Sequence, residues 1–281
     1  MEARNPPAEE TAVTAEMTFG LGELTIRHPA GTFALTPASL ISLQAIGKHR
    51  NLLAGVGLDW GSGTGCLAIA TAKIPGVRSV VGLELSEANV AVARENAAAN
   101  GVADKVAFFW SNSFSPHHPS DRASLVDLEG KVNFIVSNPP ASEEGDGFEW
   151  RRVILRGARQ YLVPGGVVFL SFAGTYGQAR VERLWQDALG FEYGGLLAST
   201  DWVCFDLNRP DLLHFLRNYV EEERRGGLKY VFRHPQATGE AGLDARAALA
   251  CYEQTGKSPL AKWQTHLFVF APTISVAASG R

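Results

Sequence analysis

Asp59-Trp60-Gly61-Ser62-Gly63-Thr64-Gly65 sets three glycines at alternate positions behind an acid. The run follows an apolar stretch of strand type and opens a helical pattern, the setting in which a glycine loop holds a ligand. Glycine admits a tight turn and lets the backbone come close to a bound molecule. The spacing separates ligand classes. A dinucleotide fingerprint wants its third glycine where this chain has Cys66, and Gly65 comes one position early, which disfavours NAD or FAD. Two further constellations lie downstream. Val80-Val81-Gly82-Leu83-Glu84-Leu85 ends a second apolar run with a carboxylate, and Ser137-Asn138-Pro139-Pro140-Ala141 ends a later one. Two prolines in succession cannot continue a sheet ladder and hold the chain extended, so the Asn138 amide and the Pro139 carbonyl become fixed acceptors. The bland reading of each is a strand-end helix cap at Glu84 and a rigid turn at Pro139 and Pro140.

In this combination the chain resembles the class I S-adenosylmethionine-dependent methyltransferases, whose first motif, Asp-x-Gly-x-Gly-x-Gly, is matched at Asp59, Gly61, Gly63 and Gly65. The resemblance implies that this loop, with Thr64, cradles the methionine portion of S-adenosylmethionine, helped by helix N-terminal amides. It further implies that Glu84, followed by Leu85, accepts the ribose hydroxyls, and that Asn112 stands where the family carries an adenine-binding Asp. An asparagine amide accepts and donates, so that departure is tolerable. Asn138, Pro139 and Pro140 resemble the Asn-Pro-Pro-aromatic motif of enzymes methylating planar nitrogens: adenine N6, guanine N2 and the glutamine amide. Residues 31–37 resemble the entry segment of the small-domain methyltransferase group that includes ribosomal RNA and release-factor enzymes. One position departs. The aromatic fourth residue of the motif is Ala141 here, and Phe148, Trp150 or Trp202 are the rings that could replace its stacking surface. The implied acceptor is a planar nitrogen in protein or RNA. A small-molecule acceptor is the alternative, and a catalytically inactive cofactor-binding scaffold is the rival from another class.

The elements that must position these residues read as an α/β domain. Apolar runs at 56–60, 80–84, 106–110, 134–137 and 167–172 alternate with helical patterns, among them 86–100, which has Ser86 at its cap and Asn100-Gly101 at its end. Further elements are a helix at 178–190 and strands at 191–198 and 263–270. The expectation is a Rossmann-like, seven-stranded, mostly parallel sheet with helices on both faces, spanning 56–198 and 263–272. Upstream, 17–55 reads as a hairpin and a helix begun by Thr36 and Pro37 and running to about Leu53. Residues 1–16 read as a disordered tail. Between the last two strands, 199–262 is far longer than an ordinary loop and has no counterpart in the resemblance. With helical patterns at 212–225 and 243–254, it is expected to be a helical substrate cap.

Composition narrows the class. The chain has 281 residues, 46% of them hydrophobic, and a net charge of −3, which supplies no global field for a phosphate backbone. Neither DNA nor a membrane is expected as a partner. Cys66, Cys204 and Cys251 have no metal-ligand spacing, and His117-His118 has no third ligand beside it, so no metal is expected. The start lacks the basic and apolar pattern of a secretory signal, giving a cytoplasmic expectation. Glu143, Glu144 and Asp146, beside the Asn-Pro-Pro segment, read as a solvated lid, with steering of a cationic substrate as the alternative.

Overall fold

The computed structural model describes residues 9–142, 146–237 and 242–272. Strands β1 (Glu10–Val13) and β2 (Leu24–Arg27) open it as an antiparallel pair. This corrects the expectation of a disordered tail as far as Glu16. Val13 is buried with Leu24 and Ile26, and the Thr11 hydroxyl meets His28 Nε2 at 2.8 Å across the pair. Burying one apolar face of a short strand offsets its ordering, whatever the composition around it. The hairpin expected within 17–33 therefore draws its first strand from upstream of Met17, and residues 1–8 of the expected tail lie outside the described residues. Helix α1 (Pro37–Lys48) starts as its cap predicts, with Thr36 Oγ accepting from the Ser39 amide at 3.3 Å. It stops at Lys48, short of Leu53, because the chain tightens into a 3-10 turn at Arg50–Leu52.

The chain then runs through β3 (Gly55–Trp60), α2 (Cys66–Ala72), β4 (Val77–Glu84), α3 (Glu87–Ala99), β5 (Val106–Asn112), β6 (Ser115–Pro116), α4 (Pro119–Val126), β7 (Val132–Ser137), α5 (Glu149–Tyr161), β8 (Leu162–Ala173), α6 (Gly177–Asp187) and β9 (Phe191–Ser199). After them come β10 (Val203–Cys204), α7 (Pro210–Arg224), β11 (Phe232–Arg233), β12 (Gly242–Leu243), α8 (Ala245–Thr255), β13 (Leu260–Ala261) and β14 (Trp263–Phe270).

The central sheet has the order β6-β5-β4-β3-β7-β8-β14-β9. Its five middle strands, β5 to β8 in that order, are parallel, and β14 enters antiparallel between β8 and β9. The expected mostly parallel sheet is present. Its one addition is β6, a two-residue edge strand antiparallel to β5. Helices α1, α2 and α3 cover one face and α4, α5 and α6 the other, each with its own apolar cluster. Strand order reverses at β3: the chain moves outward through β4 and β5, then returns to lay β7 along the other side of β3. Ligands of doubly wound sheets bind at such a reversal, beyond the strand carboxyl ends. The register pairs Trp60 with Ser137, so the loops that follow them, Gly61 onward and Asn138 onward, leave the sheet side by side.

The segment 199–262 holds the two expected helices. Asp244 caps α8 by accepting from the Ala247 amide at 2.9 Å, and Gly256 ends it at φ +68°. The segment is not purely helical: β10, β13, β11 and β12 form a small antiparallel sheet. Its Leu216, Tyr219, Tyr230 and Phe232 belong to the apolar cluster of Ile154 and Phe172. Among the described residues no helix is long and apolar enough to cross a membrane.

Candidate functional site

Gly61, Gly63 and Gly65 all take positive φ, at +70°, +54° and +91°. A side chain at Gly65 would meet Phe108 Cζ at 2.8 Å, so this position is glycine for packing as well as conformation. At Gly61 nothing lies within 4 Å of where a Cβ would stand. The loop's outer surface there is bare backbone facing a cleft. Glu84, at the end of β4, ties the loop in place: Oε2 accepts from the Gly63 amide at 2.8 Å, and Oε1 accepts from the Ser86 amide at 2.8 Å and from Asn89 Nδ2 at 3.1 Å. Behind the loop, Asp59 is fully buried. Its Oδ2 accepts from the Ala68 amide at 2.9 Å, and among the described residues Oδ1 has no partner. Burial pushes its carboxyl up to about 7, the Ala68 amide opposing the shift and the Glu84 charge adding to it. Burial, with the Asp59 charge beside it, also pushes the Cys66 thiol up, leaving it unreactive.

At the end of β7, Asn138 Nδ2 donates to Ser39 Oγ at 3.4 Å, a long bond to the first turn of α1. Among the described residues Asn138 Oδ1 receives no hydrogen bond. The Pro139 carbonyl accepts from Arg151 Nη2 at 3.4 Å and the Pro140 carbonyl from Arg151 Nη1 at 3.1 Å. Arg151 lies in α5, is only 3% exposed, and has a pKa held below the usual guanidinium value by burial.

One cleft of about 460 Å3 joins the two ends, a size suited to a small ligand. Gly61, Gly63, Glu84, Leu85 and Asn112 line one end, and Asn138, Pro139, Pro140 and Ala141 the other. Asp59, Thr64 and Gly65 stand behind the wall. The Thr64 hydroxyl is committed to the Phe33 carbonyl at 3.1 Å. The bare backbone at Gly61 and the partly exposed Glu84 carboxylate fit a ligand with hydroxyl and ammonium groups such as S-adenosylmethionine. Of the three rings considered as substitutes beside Ala141, Trp150 lines the cleft. Phe148 is buried against Phe172 and Tyr176, and Trp202 lies outside the lining, with Lys262 and Arg233 over its ring. Asp146 is held by Arg152 at 2.5 Å, a structural ion pair, while Glu143 and Glu144 lie outside the described residues. His117 packs against Trp110 with centroids 4.2 Å apart and the rings tilted by 36°.

Thr36, from the entry segment 31–37, also lines the cleft, and residues singled out by no motif complete the walls: Ala38 from α1, Arg151 from α5, and Phe205, Phe215 and Tyr219 from the 199–262 segment. Thr36 was visible in the sequence both as a helix start and as part of that entry segment. The others have no local signature, since an arginine on a helix reads as solvated and an aromatic as core.

Comparison with known proteins agrees with this arrangement. The model of the methyltransferase small domain matches residues 23–181, more than half of the chain. The chain is 34% identical over 145 residues to a release factor glutamine methyltransferase from Cereibacter sphaeroides, covering 43% of this chain and 48% of that one. It is 32% identical over 168 residues to ribosomal RNA small subunit methyltransferase C from Klebsiella pneumoniae, covering 58% and 44%. The chain thus spans about half the length of the curated relatives it matches. A crystal structure of a methyltransferase from Pyrococcus furiosus shares the fold, with a TM-score of 0.51 at 18% identity and 92% of each chain covered. With its glycine loop, strand-end acid and Asn-Pro-Pro turn gathered at one sheet reversal inside the matched stretch, the chain belongs to the methyltransferase small-domain family.

Proposed function

We propose that the chain transfers a methyl group from S-adenosylmethionine to a planar nitrogen presented by a protein or an RNA. The observation that carries this is the single cleft joining Gly61 and Glu84 to Asn138 and Pro139. In the proposal the backbone of Gly61 and Gly63 holds the methionine portion, with Asp59, Thr64 and Gly65 shaping the loop from behind. Glu84 accepts the ribose hydroxyls, and Leu85 and Asn112 flank the adenine. S-adenosylmethionine supplies a methyl carbon on a positively charged sulfur; when that carbon bonds to the acceptor nitrogen, the carbon–sulfur electron pair stays on sulfur and the nitrogen sheds a proton. Asn138 Oδ1 and the Pro139 carbonyl accept the amine hydrogens. They draw a delocalised lone pair toward the methyl and stabilise the charge that grows on nitrogen. Holding the partners in line contributes further, since well-oriented pairs gain roughly 7 to 11 kcal/mol. The segment 199–262 acts as a substrate cap, supported by the rings it adds to the lining.

The relatives named above are described as acting on a release factor and on ribosomal RNA. The rings of Phe205, Phe215 and Tyr219 favour a free flat molecule as the second reading. The test is transfer of a labelled methyl from S-adenosylmethionine into cell lysate, followed by separate protease and nuclease digestion. Label should be released by one of the two treatments, while label already of low mass would identify a free acceptor. Asn138→Ala should cut labelling by about 100-fold or more with cofactor affinity nearly unchanged. Full labelling by that variant would remove Asn138 from the chemistry.

A further inference from the structure

The acceptor end of the cleft contains a buried cation that no acid among the described residues pairs with, Asp146 acting on it only from a distance. All five N–H groups of Arg151 end on backbone carbonyls: Ser171 receives two, at 3.1 and 3.0 Å, Pro140 one at 3.1 Å, and Gly147 and Pro139 one each at 3.4 Å. Among the described residues it forms no ion pair. Asp146, close to it in sequence, is occupied by Arg152. Arg209, the other cation of the lining, is balanced by Asp211 at 2.6 Å. Glu84 is the one carboxylate among the described lining residues, and it stands at the glycine-loop end. Rings rather than water surround the guanidinium, with Phe148, Phe172 and Tyr176 centred 5.4 to 5.7 Å from it. Carbonyl dipoles solvate a guanidinium without cancelling its charge, and a charge shielded from water acts at longer range than one at the surface.

Resting on the methyl-transfer reading above, we propose that Arg151 is a specificity-determining residue whose charge makes the cleft accept a neutral or anionic methyl acceptor and reject a cationic one, such as a protonated lysine or polyamine amine. Arg151 Nη2 lies one hydrogen bond from the Pro139 oxygen. An amine bound to the other side of that oxygen lies roughly 6 Å from the guanidinium. Two unit charges at that separation repel enough to weaken binding about threefold even in a water-like medium, and more as water is excluded. A neutral planar nitrogen escapes this penalty when it binds. As charge grows on it during transfer, it faces the Pro139 oxygen before it faces the guanidinium.

The test uses three ligands of the same shape and different charge at the transferring position, titrated calorimetrically into the whole chain. S-adenosylmethionine carries a sulfonium there, sinefungin an amine, and S-adenosylhomocysteine no charge. The wild-type chain should bind S-adenosylhomocysteine at least about threefold more tightly than either cation. Arg151→Met should close that gap and Arg151→Lys should keep it, with melting curves reporting folding. The proposal is overturned if the wild type binds the cations as tightly as the neutral ligand, or if Arg151→Met weakens all three by one factor, the mark of a purely structural role. Should Arg151→Met fail to fold, the wild-type gap and its retention in Arg151→Lys decide the matter. Binding of none of the three would instead refute the methyl-transfer reading, and this inference with it.

Discussion

Asp59 and Glu84 show how much chemistry a motif carries beyond its spelling. The folded chain holds the Asp59 proton up to about pH 7, whereas an unfolded chain releases it near 3.8. Between those values the folded state binds more protons, so the stability that the protonated carboxyl confers is lost as pH rises through that window. Asp59→Asn keeps an acceptor for the Ala68 amide and removes the buried charge. Its melting temperature should exceed that of the wild type at pH 8 and match it near pH 4, as read by calorimetric melts at both pH values. Equal differences at the two would mean that Asp59 is not raised. Glu84 was legible as a strand-end acid following a glycine loop. Its bonds to Ser86 and Asn89 match the helix-cap reading, whereas its bond to Gly63 was not legible, because it depends on how the loop folds back over β4. Arg151 was illegible altogether. Its meaning comes from four carbonyls contributed by the β7 turn, the start of α5 and β8, which no local pattern brings together.

At the scale of elements, the turn between β3 and α2 makes two demands that single substitutions separate. Alanine at Gly65 meets both a left-handed backbone and Phe108, so Gly65→Ala should lose roughly 2 to 4 kcal/mol of stability in denaturant unfolding. Alanine at Gly61 meets open space, so Gly61→Ala should lose only about 1 to 2 kcal/mol from backbone strain while placing a methyl in the cleft and weakening ligand binding. Equal stability losses would contradict the distinction. Elements whose ends are signalled by local chemistry were read well: Thr36 at the start of α1, Ser86 at α3, and Gly256 closing the insertion's second helix. Elements that exist through distant pairing were missed. β1 is four residues that become a strand only against β2, and the two-residue strands of the insertion have no periodicity to detect.

Across the whole molecule, the family match ends at residue 181, whereas the cleft is completed by Phe205, Arg209, Leu212, Phe215 and Tyr219 from beyond it. The loop, the strand-end acid and the Asn-Pro-Pro turn belong to the matched part. The ring-lined end draws on both parts, with Trp150, Phe172 and Tyr176 from the matched part and Phe205, Phe215 and Tyr219 from beyond it, and Ala141 gives up the motif's own ring there. On this account the matched part fixes the methyl donor and carries Asn138, Pro139 and Arg151, which face the acceptor, while the added part completes the acceptor's wall. The donor half is the foundation, and titration of S-adenosylmethionine into the wild-type chain and into Glu84→Ala tests it most directly. Saturable one-to-one binding to the wild type is expected, weakened by about 2 to 3 kcal/mol in Glu84→Ala, the size of a charged hydrogen-bond contribution. No binding to the wild type, or equal affinity in the two proteins, would contradict it.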